Sequence, residues 1–278
     1  MRGRSAESSF VFTLASSAAE NIERGYYDGL DPGQAEGLGH RSLRGSILGC
    51  SHTPVVAEIK FASPSEGRLR EPGEVGPIAR AYERGGVAAI SVLTEPKHFQ
   101  GDIRYVPMVK RAVGVPVLMK DIVIDPVQID AGAAMGADAI LFIAAVFMNG
   151  LARAGLEEMF ARARARGLEV LFEAHTREEL TLALQSEADV VGINNRDLGT
   201  LEVTLETSRR LLDSARALRE RLRLAGDRKP VISESGIGTR GDVDEMLSHG
   251  ADGFLVGSAI MRSADVEAKV RSLTGASR

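Results

Sequence analysis

From Val55 onward one pattern repeats along the chain: a short apolar run, a turn rich in glycine or polar residues, and a segment with helical spacing. The runs are apolar on both faces, which is typical of strands in a parallel sheet, and the segments between them fit crossover helices. The runs are VVAEI (55–59), AAISVL (88–93), VPVLM (115–119), DAILFI (138–143), EVLFE (169–173), DVVGI (189–193), PVIS (230–233) and DGFLV (252–256).

Eight strand–helix units predict an α/β fold, a (β/α)8 TIM barrel, as the catalytic domain over residues 55–278. A doubly wound open sheet is the alternative, but no G-x-G-x-x-G sequence follows the first run. Residues 1–54 lie outside the repeat and predict an N-terminal extension that begins as a surface helix or a disordered leader, not a second domain. The start faintly resembles a secretory signal, but its apolar core, residues 10–15, is too short for one.

Composition limits the classes of partner. The formal net charge of −4 gives no basic surface for nucleic acid or an anionic membrane, and no apolar run approaches the roughly 20 residues that span a bilayer. The single cysteine, Cys50, excludes an intrachain disulfide and a cysteine-built metal site, and it fits a cytoplasmic protein. The five histidines have no metal-ligand spacing, so we expect no metal.

Polar residues fall where five of the predicted strands end. In a (β/α)8 barrel the active site lies at the carboxyl ends of the strands. One lysine at a strand end is ordinarily just leaving the core, but a charged pair inside an apolar run costs several kcal/mol unless it is partnered or used. We therefore expect these side chains to converge around a substrate. They are Glu58, Lys60, Lys120, Glu173, Asn194, Arg196 and Glu234.

Strands seven and eight also lead into serine and glycine, as SESG and LVGS. The loops after these strands often bind phosphate in such barrels, because glycine lets backbone N–H groups approach the oxygens and serine adds a hydroxyl. The alternative is a pair of tight turns with serine caps. We predict a phosphate site that includes Ser235, Gly236, Gly257 and Ser258.

Several of these segments together resemble the indole-3-glycerol-phosphate synthase family over about residues 55–263: VVAEIKFASPSEG, PVLMKDIVID, GINNRDLGTLEV, SESGI and FLVGSAIM. The resemblance implies a carboxy-lyase of tryptophan biosynthesis without metal or organic cofactor. Its phosphorylated small-molecule substrate, 1-(2-carboxyphenylamino)-1-deoxyribulose 5-phosphate, would become indole-3-glycerol phosphate, CO₂ and water. Other enzymes of the pathway are candidate partners.

The resemblance also implies roles. Lys120 is expected to be the general acid for ring closure, Glu173 to act in dehydration through a carboxyl whose pKa burial raises, and Lys60 to position the substrate. The groups that support these three would be Glu58, Asn194, Arg196 and Glu234. The substrate phosphate would lie against Ser63, Ser235, Gly236, Gly257 and Ser258. The anthranilate ring would pack on Leu93, Phe99 and Leu141.

The chain departs from the family at two positions often held by basic residues. They are Phe61 and Glu66, both expected at the rim, where they would tune affinity. His175 is predicted to be a loop or helix-start residue.

Three other functions stay open from the sequence. They are phosphoribosylanthranilate isomerase, which would need a cysteine where Lys60 ends strand one; a Schiff-base aldolase using Lys60 or Lys120; and a non-catalytic binder of sugar phosphates.

Overall fold

The computed structural model describes residues 10–222 and 228–277, so residues 1–9, where the signal-like segment begins, lie outside the described part. Eight parallel strands close into a barrel in which the first strand pairs with both the second and the eighth. The predicted (β/α)8 fold is confirmed, and the open sheet is wrong. The strands are β1 Val55–Ile59, β2 Ala89–Leu93, β3 Val117–Lys120, β4 Ala139–Ile143, β5 Glu169–Ala174, β6 Val190–Asn194, β7 Val231–Glu234 and β8 Gly253–Val256.

Helices surround the barrel, and several begin where the sequence provides a cap. Asp125 and Thr239 each accept a hydrogen bond from the first turn of their helix, within capping boxes. Among the described residues, no helix is both long and apolar enough to cross a membrane. The helices are α1 Phe10–Glu23, α2 Leu43–Gly49, α3 Val75–Arg84, α4 Pro96–Phe99, α5 Tyr105–Ala112, α6 Pro126–Ala134, α7 Ala144–Met148, α8 Leu156–Ala165, α9 Arg177–Gln185, α10 Glu206–Leu222, α11 Arg240–Ser248, α12 Ser258–Met261 and α13 Val266–Thr274.

The inside of the barrel changes from apolar to charged along several of the strands. Side chains two residues apart point the same way, so in these strands an inward apolar residue is followed by an inward polar one at the carboxyl end. The fully buried Leu118 precedes Lys120, and the fully buried Leu171 precedes Glu173. The apolar layer therefore forms a floor beneath a charged layer.

The amino end of the barrel is closed by α2. The Ser46 hydroxyl donates to the carbonyl of Ala88, just before β2, and the Ser42 hydroxyl donates to the carboxylate of Glu169, at the start of β5. Leu43 and Ile47 are buried and pack in the same cluster as the interior of the barrel. Helix α2 thus seals the end opposite the charged layer.

Helix α1 lies at the carboxyl end of the barrel. The amide of Phe10 donates to the carbonyl of Leu198 at 2.8 Å, and the Ser17 hydroxyl donates to the buried carboxylate of Glu95 at 3.1 Å. Leu14 and Ala18, one turn apart, are buried with the interior cluster. For residues 10–23 the disordered leader is therefore wrong and the helix is present, with its apolar face packed over the barrel mouth.

A buried ion pair joins α5 to β4. Lys110 and Asp138 are each at most 1% exposed, and the Lys110 ammonium donates to both carboxylate oxygens. Asp138 also accepts from the amides of Arg41 at 2.7 Å and Val117 at 2.8 Å. One carboxylate therefore holds the N-terminal segment, α5 and the start of β3 together.

Loss of this carboxylate charge should destabilise the fold. Asp138→Asn leaves the Lys110 ammonium buried without a counter-charge, and we expect the free energy of unfolding in urea to fall by about 3 kcal/mol. Asp130→Asn is the control, since Asp130 pairs with Arg162 and Arg166 on the surface and should matter much less. Equal losses in the two variants would contradict the role given to Asp138.

Candidate active site

A cavity of about 510 Å³ opens at the carboxyl end of the barrel. All but one of the site residues predicted from the sequence line it, and the exception, Glu234, is fully buried beside it with its carboxyl hydrogen-bonded to Lys120. The lining residues among those predicted are Glu58, Lys60, Ser63, Leu93, Phe99, Lys120, Leu141, Glu173, Asn194, Arg196, Ser235, Gly236, Gly257 and Ser258.

Lys120 lies at the centre of the charged groups. Its ammonium nitrogen is 3.1 Å from a carboxyl oxygen of Glu234, 3.3 Å from one of Glu58 and 3.8 Å from one of Glu173. Burial by itself would lower the pKa of Lys120, but the three carboxyl groups outweigh it and raise the pKa above its ordinary value. Lys120 is therefore a firmly protonated ammonium facing the cavity.

Glu58 links the two lysines. Its carboxylate oxygens lie 2.8 Å from the ammonium of Lys60 and 3.3 Å from that of Lys120. Burial disfavours the Glu58 charge, but the two ammonium groups outweigh burial and lower the pKa of Glu58 below its ordinary value. The charged pair inside the first apolar run is thus partnered, and Lys60 is held at the cavity wall.

Glu173 is kept ionised by His175. The Nε2 of His175 lies 3.2 Å from Glu173, and its Nδ1 lies 3.1 Å from Glu179 at the start of α9. Although burial opposes both charges, the contact with His175 and the charge of Lys120 lower the pKa of Glu173, while the two carboxylates raise the pKa of His175 to about 10. His175 is a loop residue as predicted, but its ring also orients Glu173.

The pKa of Glu234 is raised, whereas that of Glu173 is lowered. Burial and the nearby charge of Glu173 raise its pKa, and Lys120 only partly offsets them. Its second oxygen, Oε1, is buried without a hydrogen-bond partner and lies where a side chain at Gly192 would have to be. The expected carboxyl of raised pKa therefore exists, but it is Glu234 and not Glu173.

Asp121 fixes the backbone directly after Lys120. One of its oxygens accepts from the hydroxyls of Thr94 at 2.5 Å and Tyr27 at 3.0 Å, and the other from the amide of Ile122 at 2.7 Å. Burial raises the pKa of Asp121 to about 6 in spite of these hydrogen bonds. This contact ties the N-terminal segment to β3 at the residue that carries the central ammonium.

The serine- and glycine-rich loops meet on the other side of the cavity. Ser235 has a left-handed backbone, with φ 65°, an uncommon conformation for a residue other than glycine. Its carbonyl accepts from the side chain of Asn195 at 3.0 Å. We name the group predicted to bind phosphate, Ser63, Ser235, Gly236, Gly257 and Ser258, the phosphate cradle, and all five residues line the same cavity.

Two charged residues beside the cradle were not assigned to it from the sequence. Arg262, the C-cap of α12, and Glu66 both line the cavity, and Arg196 contacts the turn that carries Glu66 through the Ser65 hydroxyl. The position of Arg262, four residues after Ser258, was the available signal, since residues four apart lie on one face of a helix.

An apolar wall faces the charged cluster. The predicted residues Leu93, Phe99 and Leu141 lie in it, and α1 adds Phe10 and Leu14, which were not predicted from the sequence. Phe61 is not a rim residue as expected. It is 1% exposed and packs edge-on against Tyr105, because the chain turns back into the core after Lys60.

No group of three or more His, Cys, Asp or Glu side chains suited to a metal ion occurs within residues 10–222 and 228–277. The cavity instead offers ammonium donors, the carboxylates of Glu58, Glu66 and Glu173, and a set of hydroxyl and backbone groups, with a carboxyl of raised pKa buried beside it. Together these can move protons at neighbouring atoms of an anionic substrate.

The family model and the curated relatives that match this chain belong to one family, and a solved structure shares its fold. The family model for indole-3-glycerol phosphate synthase matches residues 40–273. The indole-3-glycerol phosphate synthase of Methanopyrus kandleri is 45% identical over 86% of this chain and 89% of its own. That of Geobacillus thermodenitrificans is 43% identical over 80% and 81%. Thiamine phosphate pyrophosphorylase from Pyrococcus furiosus shares the fold, with a TM-score of 0.56, 19% identity and coverage of 84% of this chain and 96% of its own.

Glu173 and Glu234, which both lie beside Lys120, should titrate on opposite sides of their ordinary pKa of 4.5. Glu234 stabilises the fold fully below that value and loses this contribution as pH rises through its raised pKa. Glu173 stabilises the fold above that value and loses this contribution as pH falls through its lowered pKa. A carbon-13 NMR titration of the glutamate carboxyls should show one resonance that titrates above the ordinary pKa, which we call the late resonance. It should be absent in Glu234→Gln and present in the control Glu178→Gln, which changes an exposed residue. A late resonance that survives Glu234→Gln would contradict the assignment.

Proposed function

The chain belongs to the indole-3-glycerol phosphate synthase family, and from that membership we propose how the cavity residues carry out the reaction. The enzyme closes the ring of 1-(2-carboxyphenylamino)-1-deoxyribulose 5-phosphate, releases CO₂ and then water, and forms indole-3-glycerol phosphate in tryptophan biosynthesis. The observation that carries the proposal is the single cavity in which Lys120 contacts three carboxyl groups.

Lys120 is the general acid of ring closure. The ring carbon that bears the carboxylate attacks the ribulose ketone, and negative charge develops on the ketone oxygen. A protonated ammonium beside that oxygen stabilises the charge and donates a proton to it. The raised pKa of Lys120 supports this role, because it keeps the group charged until a more basic oxygen forms. Loss of CO₂ then restores the aromatic ring.

Glu173 and Lys60 act in dehydration. The hydroxyl left by ring closure departs as water when an acid protonates it and a base removes a proton from the neighbouring methylene carbon. Glu173 is the base, since His175 and Lys120 keep it ionised, and Lys60 positions the substrate and donates to the leaving hydroxyl. Glu58 holds the two ammonium groups at their places.

Glu234 restores the proton of Lys120. After ring closure the lysine is a neutral amine 3.1 Å from a carboxyl oxygen of Glu234. Transfer of the carboxyl proton gives back the ammonium and leaves Glu234 ionised, and the pairing that results is more favourable than a neutral amine among carboxylates. The raised pKa of Glu234 supports this role, because the proton is present at neutral pH.

The remaining predicted residues bind the substrate. The phosphate cradle takes the ester oxygens, with Arg196 beside it, and the amide of Asn194 orients polar groups of the sugar. Leu93, Phe99 and Leu141 pack on the anthranilate ring, together with Phe10 and Leu14 of α1. A cytoplasmic location is part of the proposal and agrees with the free thiol of Cys50.

A Schiff-base aldolase fits these residues less well. A lysine that forms a Schiff base needs a neutral amine, which a lowered pKa provides. The pKa of Lys120 is raised instead. An isomerase of the phosphoribosylanthranilate type would need a cysteine where Lys60 stands, and a mere binder of sugar phosphates would need no central ammonium among carboxyls.

Removal of the central ammonium should stop turnover. Lys120→Ala removes the acid of ring closure, and we expect kcat to fall about a thousandfold, measured by indole fluorescence from the carboxyphenylamino substrate. The control is Lys97→Ala, which removes an exposed ammonium that pairs with Glu20. Circular dichroism checks the fold of both variants, and a folded Lys120→Ala enzyme with full activity would refute the assignment.

Loss of a hydroxyl from the phosphate cradle should weaken substrate binding more than it slows the chemical step. Ser258→Ala removes one hydroxyl donor that contacts the phosphate equally in the ground and transition states. We expect KM to rise about fivefold with a smaller change in kcat. Ser272→Ala, on the exposed face of α13, is the control. A fall in kcat with KM unaltered would place Ser258 in the chemical step and contradict its role in binding.

A further inference from the structure

Glu66 lies against the phosphate cradle, where a negative charge opposes the binding of a phosphate ester. It sits at the tip of a short hairpin, Ala62–Ser63 with Gly67–Arg68, which follows β1 and brings the carboxylate back over the cavity. Pro64 and Ser65 beside it are exposed, so the turn faces solvent on its other side.

The partners of this carboxylate are those that suit a phosphate. One oxygen accepts from the hydroxyl of Ser258 at 2.5 Å and from that of Ser63 at 3.4 Å. The same oxygen lies 3.9 Å from a guanidinium nitrogen of Arg196, and the other oxygen lies 3.1 Å from one of Arg262. Serine hydroxyls and arginine forks serve carboxylate and phosphate oxygens alike.

Electrostatics keeps the carboxylate in this position. Burial disfavours its charge, but the Ser258 hydroxyl and the charges of Arg262, Lys60 and Arg196 outweigh burial and lower the pKa of Glu66. Two hydroxyl donors of the cradle, Ser63 and Ser258, and the guanidinium of Arg262 beside it are thereby engaged by a group of the protein. A substrate phosphate that needs the same donors meets an occupied site.

We propose that Glu66 is a placeholder anion of the phosphate cradle, which the substrate phosphate displaces on binding and which thereby sets the affinity of the enzyme for phosphate esters. The inference rests on the proposed role of the cradle. Displacement needs only a change of the Glu66 side chain at an exposed turn, since its carboxylate can turn to water. Ser258, Ser63 and Arg262 are then free to bind the phosphate. Glu66 so becomes a determinant of affinity and not a catalytic residue.

Calorimetric titration with inorganic phosphate tests this without turnover. In a phosphate-free buffer at fixed ionic strength, Glu66→Gln and Glu66→Ala should each bind phosphate about fivefold more tightly than the unsubstituted enzyme. Glu71→Gln is the matched control, because it removes the same charge from an exposed position five residues along the chain, where Glu71 pairs with Arg68. The KM for the substrate should fall in the Glu66 variants by a larger factor than kcat changes.

Each outcome has one meaning. Phosphate affinity that is unchanged or weaker in both Glu66 variants, in an enzyme that binds phosphate and turns over, overturns the placeholder alone. An equal gain in Glu71→Gln also overturns it, since the effect would then be one of overall charge. Absence of phosphate binding in the unsubstituted enzyme and in every variant would remove the proposed cradle and the placeholder with it.

Discussion

The ammonium group of Lys120 holds the cavity together, because carboxyl groups from three other strands converge on it. Without carboxylates a buried ammonium would tend to lose its proton, and without a cation the buried carboxyls would repel one another. Packed together, they leave Lys120 and Glu173 charged while Glu234 keeps a proton. The barrel makes this possible, since parallel strands bring their carboxyl ends into one ring.

The barrel and the convergence of the charged residues could be predicted from the sequence, because both depend on regular repeats along the chain. Alternation along a strand places Glu58 and Lys60 on one side, and the repeat of strand and helix places the ends of the strands at one face. From these alone, Lys120 and Glu173 were expected to share a site although they are far apart in the chain. The serine and glycine residues after the last two strands predicted the phosphate site, and the resemblance to a family added the chemistry and Ser63.

What could not be predicted depends on contacts between distant segments. The sequence of α1 reads as a surface helix, and only the barrel mouth shows that Leu14 has a place to be buried. Phe61 follows two charged residues, yet the turn after Lys60 carries it into the core. The difference in pKa between Glu173 and Glu234 comes from the contact of His175 with the first and from burial beside the Glu173 charge for the second, which no strand pattern encodes.

The absence of a side chain at Gly192 has a consequence for how this enzyme can diverge. The Oε1 atom of Glu234 fills the volume that even a methyl group at position 192 would need. Any larger residue there would push the carboxyl out of line with Lys120, so a residue without a functional group helps to keep Glu234 in contact with the ammonium. Positions 192 and 234 are therefore constrained together, and a change at one has to be met by a change at the other.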